Sequence, residues 1–157
     1  YQDQQSQSAR ALYLTYASDS NSVETYDQLL TDYGSSSYAD QASLLMAKKL
    51  FDAGNYQSVL SIIEPLTSSD NGAISSTAIL RTATVYLQLG QHESALTMLD
   101  SLTDANFLGL VHSMKGDIYL DLANTPEAQK HYRLAINSIT DNSTLIRLIQ
   151  IKLDDLN

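Results

Sequence analysis

The feature that most constrains this chain is a helix–turn–helix pattern that recurs at nearly constant spacing. The segment Asp52-Ala53-Gly54-Asn55-Tyr56-Gln57-Ser58-Val59-Leu60 aligns with Gln88-Leu89-Gly90-Gln91-His92-Glu93-Ser94-Ala95-Leu96, with the two glycines 36 residues apart. Ser94-Ala95 aligns again with Glu127-Ala128, 33 residues further on. A repeat of that size is one supersecondary unit that cannot bury its apolar face alone, so neighbouring units must stack. Between the breaks, long stretches keep a helical period, as in Leu44, Leu45, Lys48 and Phe51, or Ile79, Leu80, Ala83, Val85, Tyr86 and Leu87. The breaks are short and polar: Gly34-Ser35-Ser36-Ser37, Ala53-Gly54-Asn55, Ser68-Ser69-Asp70-Asn71-Gly72, Leu89-Gly90-Gln91, Asn124-Thr125-Pro126 and Asp141-Asn142. Strand-like alternation is rare. The expected class is all-α, with roughly nine helices and no sheet.

Periods near ~34 residues with two helices per unit are what tetratricopeptide repeats show. The third unit carries Gly116, Tyr119, Ala128, Tyr132 and Ala135 at the offsets where that repeat has its small and aromatic residues. The second carries Ala83, Tyr86, Gly90, Ala95 and Leu99, and the first a weaker set of Ala47, Leu50, Gly54, Tyr56 and Val59. Small residues let paired helices approach, and large ones fill the gaps between successive pairs. Gln2–Ala17 and Val23–Tyr33 read as a degenerate leading pair. Ser143–Leu156 reads as a capping helix over the last repeat, since a solenoid end otherwise leaves its core open. Pro65 should end or kink the second helix of the first unit after Glu64. Asn124 before Pro126 reads as a helix start, and Asp141, Asn142 or Ser143 as the cap of the last helix. The expected architecture is a tetratricopeptide-repeat-like right-handed superhelix of antiparallel helix pairs in one domain, 1–157. Residues 1–38 are its leading segment, 40–140 three repeats and 141–157 the cap.

Charge and composition narrow the function. Nine Lys+Arg against 18 Asp+Glu give a net charge of −9, and only Lys48-Lys49 clusters basic residues, which argues against nucleic acid and anionic lipid surfaces. There are no cysteines, which removes disulfides, zinc ribbons and thiol catalysis together. No apolar run is long enough to span a bilayer. A chain that starts at Tyr1 is read as a processed or excised piece, with a signal or anchor upstream. His92, His112 and His131 fall in different helices without metal-ligand spacing, so no metal site is expected. No nucleophile elbow, phosphate loop or dinucleotide fingerprint occurs, and Asp154-Asp155 reads as a solvated helix end. The expectation is a non-enzyme without cofactor.

What remains is a surface. In a tetratricopeptide stack the first helix of each pair lines the concave face. The groove-facing offsets fall on Gln41, Leu44, Lys48 and Phe51 in the first unit, on Thr77, Leu80, Thr84 and Leu87 in the second, and on Leu110, Ser113, Asp117 and Leu120 in the third. A carboxylate clamp needs Lys, Arg and Asn there, and only Lys48 fits. The candidate protein-binding groove is Leu44, Lys48, Phe51, Leu80, Thr84, Leu87, Leu110, Asp117 and Leu120, dominated by an apolar stripe. Two readings stand side by side: an open site for an amphipathic segment or an unfolded apolar chain, or core covered by the chain's own terminal helices or by a second copy.

Ser6-x-Ser8-Ala9-Arg10 with Tyr13 and Tyr16, Gly116-Asp117-x3-Leu120 with Glu127-Ala128-x3-Tyr132, and the closing Ile149-Gln150-Ile151-Lys152-Leu153-Asp154-Asp155-Leu156 resemble the YfgM family, ancillary subunits of the SecYEG translocon in Gram-negative bacteria. The resemblance implies a single N-terminal membrane anchor and a repeat domain on the periplasmic face of the inner membrane. It also implies association with the translocon and with a membrane-anchored periplasmic chaperone, exported polypeptides being possible clients. It implies no catalytic residues. A tetratricopeptide scaffold in envelope assembly or cell-division coordination is the alternative, since Tyr26–Tyr38 and Gly54-Asn55-Tyr56 resemble those proteins too.

Overall fold

A computed structural model describes residues 2–19 and 21–157, Gln2 by its backbone only. Among the described residues there is no strand. The helices are α1 (Gln2–Ser18), α2 (Val23–Tyr33), α3 (Ser37–Asp52), α4 (Tyr56–Ile63), α5 (Gly72–Gln88), α6 (His92–Asp100), α7 (Leu108–Asp121), α8 (Thr125–Ser138) and α9 (Ser143–Asp154). Short 3₁₀ turns at Glu64–Ser68 and Ala105–Phe107 follow α4 and precede α7. The all-α repeat architecture expected from the sequence is what the chain adopts. Pro65 ends α4 one residue earlier than expected, because its ring cannot continue the α-helical ladder and the chain tightens to 3₁₀ from Glu64.

Polar side chains start most helices by accepting otherwise unpaired backbone N–H groups. Ser36 Oγ accepts from Ala39 N at 3.2 Å, Asn71 Oδ1 from Ala73 N at 3.1 Å, Asn124 Oδ1 from Glu127 N at 3.3 Å and Asn142 Oδ1 from Leu145 N at 2.9 Å. Of the three candidates for the last cap, Asn142 is therefore the one used. The turns between paired helices share one geometry. Gly54 N bonds Phe51 O and Asn55 N bonds Leu50 O; Gly90 and Gln91 repeat the pattern on Leu87 and Tyr86; Ala123 and Asn124 repeat it on Leu120 and Tyr119. The central residue must be left-handed for this closure, with φ of 77° at Gly54, 69° at Gly90 and 56° at Ala123. The third repeat thus keeps the turn without the glycine.

The contacts divide the chain into two compact units, Tyr1–Ala78 and Ile79–Asn157. In the first, α1, α2 and α3 pack around Ala9, Tyr16, Tyr26, Leu29, Ala39, Ala42 and Met46. Alanines on α1 and α3 allow the close approach, while the Tyr16 and Tyr26 rings, 5.4 Å apart, fill the space it leaves. The Tyr26 hydroxyl is 3.1 Å from Ser43 Oγ, so this buried polar tip is satisfied.

The second unit has two apolar clusters. One joins Ile79 and Ala83 of α5, Ala95 and Leu99 of α6, Leu102, and Val111 and Ile118 of α7. The other joins Ala128, Tyr132 and Ala135 of α8 with Ile149 and Leu153 of α9. The hairpin of α7 and α8 is the tightest pairing. A Cβ on Gly116 would fall 2.5 Å from Tyr132 Cδ1, and one on Gly109 would collide with Ile139 Cγ1. α9 lies on α8 by its Ile149–Leu153 face, and Gln129 Nε2 fastens the chain end through the Leu156 carbonyl at 3.0 Å and Asn157 Oδ1 at 3.1 Å. It is the expected cap for the last pair.

Candidate protein-interaction surface

The nine groove candidates are distributed over both units, three on α3 and six on α5 and α7. On α3, Leu44 and Phe51 are half-buried and Lys48 is exposed. Phe51 makes an edge contact with Tyr56 at a centroid distance of 5.2 Å, so part of its ring is committed to the turn that follows. Lys48 Nζ bonds Asp52 at 2.7 Å one helical turn away, a solvated pair of small energetic weight. Beside it, Ala17, Leu45, Lys48, Lys49 and Asp52 line a shallow cleft of about 320 Å³.

In the second unit, Leu80 and Leu87 of α5 are partly buried and pack against the α5–α6–α7 cluster. Thr84 between them turns its hydroxyl back to the Leu80 carbonyl at 2.9 Å, as a mid-helix threonine does when it has no outside partner. Leu110 and Leu120 of α7 are different. They are 37% and 40% exposed, and the neighbouring Leu108 and Leu122 are 37% and 46% exposed. Leu110 also lines a cleft of about 450 Å³, whose other walls include Asn106, Gly109, Ile139, Asp141, Asn142 and Leu145. Asp117 sits at the α7–α8–α9 junction: it accepts from the Tyr132 hydroxyl at 2.6 Å and from Lys152 Nζ at 2.7 Å. Burial, and then the Asp117 carboxylate, push the Tyr132 phenol well above its ordinary range, so it stays a neutral donor. Within this unit, then, the α7 leucines offer open apolar area, the α5 leucines are shared with core, and Asp117 already has partners.

One constellation escaped the reading of the sequence. His112 and His131 lie in different helices, but the α7–α8 hairpin brings their Nδ1 atoms to 3.0 Å, with the rings stacked at 5.2 Å. Tyr119 also stacks on the His131 ring, at 5.3 Å. His131 is buried, and its Nε2 is 3.8 Å from Glu127. Burial and the Lys115 ammonium hold His112 below the ordinary imidazole range. Burial, then His112, Lys115 and Lys130, do the same to His131 against an opposing pull from Glu127. The signal was available only in the hairpin register. No spacing in the sequence marks the pair; the packing of α7 on α8 brings the two rings together. His92, the third histidine, contacts Asp121 instead. Among the described residues no three His, Asp or Glu side chains are placed to hold a metal ion, and no helix is long and apolar enough to cross a membrane.

A family model described as a tetratricopeptide repeat-like domain matches residues 1–157. Among curated proteins, the chain is 32% identical over 130 residues to an ancillary SecYEG translocon subunit of Neisseria gonorrhoeae, covering 82% of this chain and 62% of that protein. A protein of the same name from Aggregatibacter actinomycetemcomitans is 28% identical over 137 residues, covering 85% of this chain and 65% of the relative. A third, from Buchnera aphidicola, is 24% identical over 120 residues, covering 76% and 62%. The chain spans a little under two thirds of the length of these relatives. No solved structure matches it significantly. The resemblance that the repeat residues and the closing Ile-Lys-Leu-Asp-Asp-Leu carry is borne out by these relatives.

Proposed function

Because this chain belongs to the tetratricopeptide repeat-like family and is similar to ancillary SecYEG translocon subunits, we propose that it is a non-catalytic protein-interaction module acting beside the SecYEG translocon. The observation that carries the reading is the match to three relatives of that one name over 76–85% of this chain. A repeat stack supplies a long surface and no reaction chemistry, and the polar groups described above are engaged in caps, pairs and junctions. The work of the module is therefore binding.

In this reading the protein stands on the periplasmic face of the inner membrane, held by an anchor outside this sequence. It passes exported polypeptides toward a membrane-anchored periplasmic chaperone. The contact surface in the second unit is the apolar set Leu80, Leu87, Leu110 and Leu120 with Thr84 and the already paired Asp117 beside it, and in the first unit it is Leu44 and Phe51 with Lys48. Leu110 and Leu120 are its most accessible members. Tethering raises the local concentration of a weak binding surface, so modest affinity per contact suffices.

The test is photocrosslinking in cells from Leu120, in the full-length protein, with the trapped partners identified. Translocon subunits, the chaperone or exported chains among the products support the proposal. Products confined to envelope-assembly or division proteins would replace it with a scaffold function, and products confined to the protein itself would make the stripe an interface between copies.

A further inference from the structure

The stacked imidazoles between α7 and α8 have no part in the binding reading, and their geometry makes them sensitive to protons. Two nitrogens of the same kind, Nδ1 of His112 and Nδ1 of His131, face each other at 3.0 Å. A hydrogen bond there needs one ring to present N–H and the other a bare lone pair. With both rings neutral, or with one proton added, the bond survives. With two added protons, N–H faces N–H and two cations share a site closed on one side by Tyr119. We propose that His112 and His131 form a proton-operated latch, which holds α8 and α9 onto α7 when at least one ring is neutral and releases them when both are charged.

The surrounding charges favour release. On α7, Lys115 lies near the pair; on α8, Lys130 lies near it and Glu127 is its nearest carboxylate. Asp100 of α6 is bonded to Lys115 at 2.5 Å, and on the α9 side Lys152 is bonded to Asp117 at 2.7 Å. A single carboxylate, itself shared with Lys130 at 3.2 Å, therefore stands against a double imidazolium.

The direction of the pH effect follows from linkage. In the unfolded chain the imidazoles take protons near about 6.5, and in the folded unit they take them at lower pH. Between the two values the unfolded state holds more protons, so stability rises with pH there. The stabilisation is complete above about pH 6.5 and is lost as the pH falls through the folded values.

The experiment is amide hydrogen exchange of the 157-residue chain at about pH 7.5 and about pH 5, corrected for intrinsic rates, with the imidazole resonances titrated alongside. The expected result is a loss of protection in α8 and α9 of about tenfold or more at the lower pH, with α1–α3 unchanged. His112→Gln keeps a neutral partner and cannot take the second charge, so it should flatten the pH dependence. An equal pH dependence in His112→Gln would overturn the latch. So would wild-type resonances showing both rings titrating independently near about 6.5, a result that does not depend on the variant folding.

Discussion

Replacing Gly116 by Ala tests the packing on which the second unit depends. On an open helix the change would stabilise by about 1 kcal/mol, the difference in helix propensity. Here the new Cβ would stand 2.5 Å from Tyr132 Cδ1 and 3.0 Å from its Cζ, where something must move. The ring has no solvent to move into, because Tyr132 is fully buried in a cluster with Ile149 and Leu153. Overpacking of this kind costs about 1–3 kcal/mol. Displacing the ring also loosens the bond from its hydroxyl to Asp117, a charge-assisted contact worth about 1.5–3 kcal/mol. Against the propensity gain, the net is a destabilisation of about 1.5–5 kcal/mol, or a fall in Tm of roughly 3–20 °C for a chain of this length. Thermal and urea unfolding followed by far-UV circular dichroism measures it. Gly72→Ala is the control, since nothing lies within 4 Å of the added carbon. Removing the obstacle completes the cycle: Gly116→Ala combined with Tyr132→Leu should be hardly less stable than Tyr132→Leu alone. A Gly116→Ala variant as stable as the parent, or strictly additive costs in the pair, would refute the argument that Tyr132 occupies the space a side chain needs.

Ala123 holds the left-handed turn position that glycine fills at Gly54 and Gly90, so Ala123→Gly should stabilise by about 1 kcal/mol and Gly90→Ala should cost about as much, both read from urea midpoints. Asn142→Ala removes the acceptor for Leu145 N and should cost about 1 kcal/mol, with faster amide exchange confined to the first turn of α9. Leu120→Glu places a charge on an exposed position and should leave stability within about 0.5 kcal/mol while abolishing crosslinks to partners from a probe at Leu110. Leu80→Glu, by contrast, puts the charge against the α5–α6–α7 cluster and should lower stability by several-fold more, on the order of 2 kcal/mol, which unfolding curves of the two variants compare directly.

The sequence by itself determined the helices and their order. Helical periodicity, local caps and tight turns act between residues a few positions apart, so Val23–Tyr33, the start at Asn124 and a start at Asp141, Asn142 or Ser143 could be read without knowing what the helices touch. The repeat spacing added the pairing, because units 33 to 36 residues long that share small residues at fixed offsets have one economical way to stack. It also made the family legible.

The tertiary structure decided which face of each helix is core, and that depends on neighbours far along the chain. Nine residues at equivalent repeat offsets read as one stripe, yet Leu80 and Leu87 are shared with a cluster, Leu110 and Leu120 are open, and Asp117 is engaged by Tyr132 and Lys152. Equivalent position in a repeat fixes direction relative to the helix axis, whereas burial is set by whichever side chain of another helix arrives there. The same holds for Ala123, whose left-handed backbone is imposed by the closing turn despite its side chain, and for His112 and His131, 19 residues apart in sequence. Only the antiparallel closure of α7 on α8 brings their nitrogens to 3.0 Å, because proximity across a hairpin is a property of register and of the glycines that permit it.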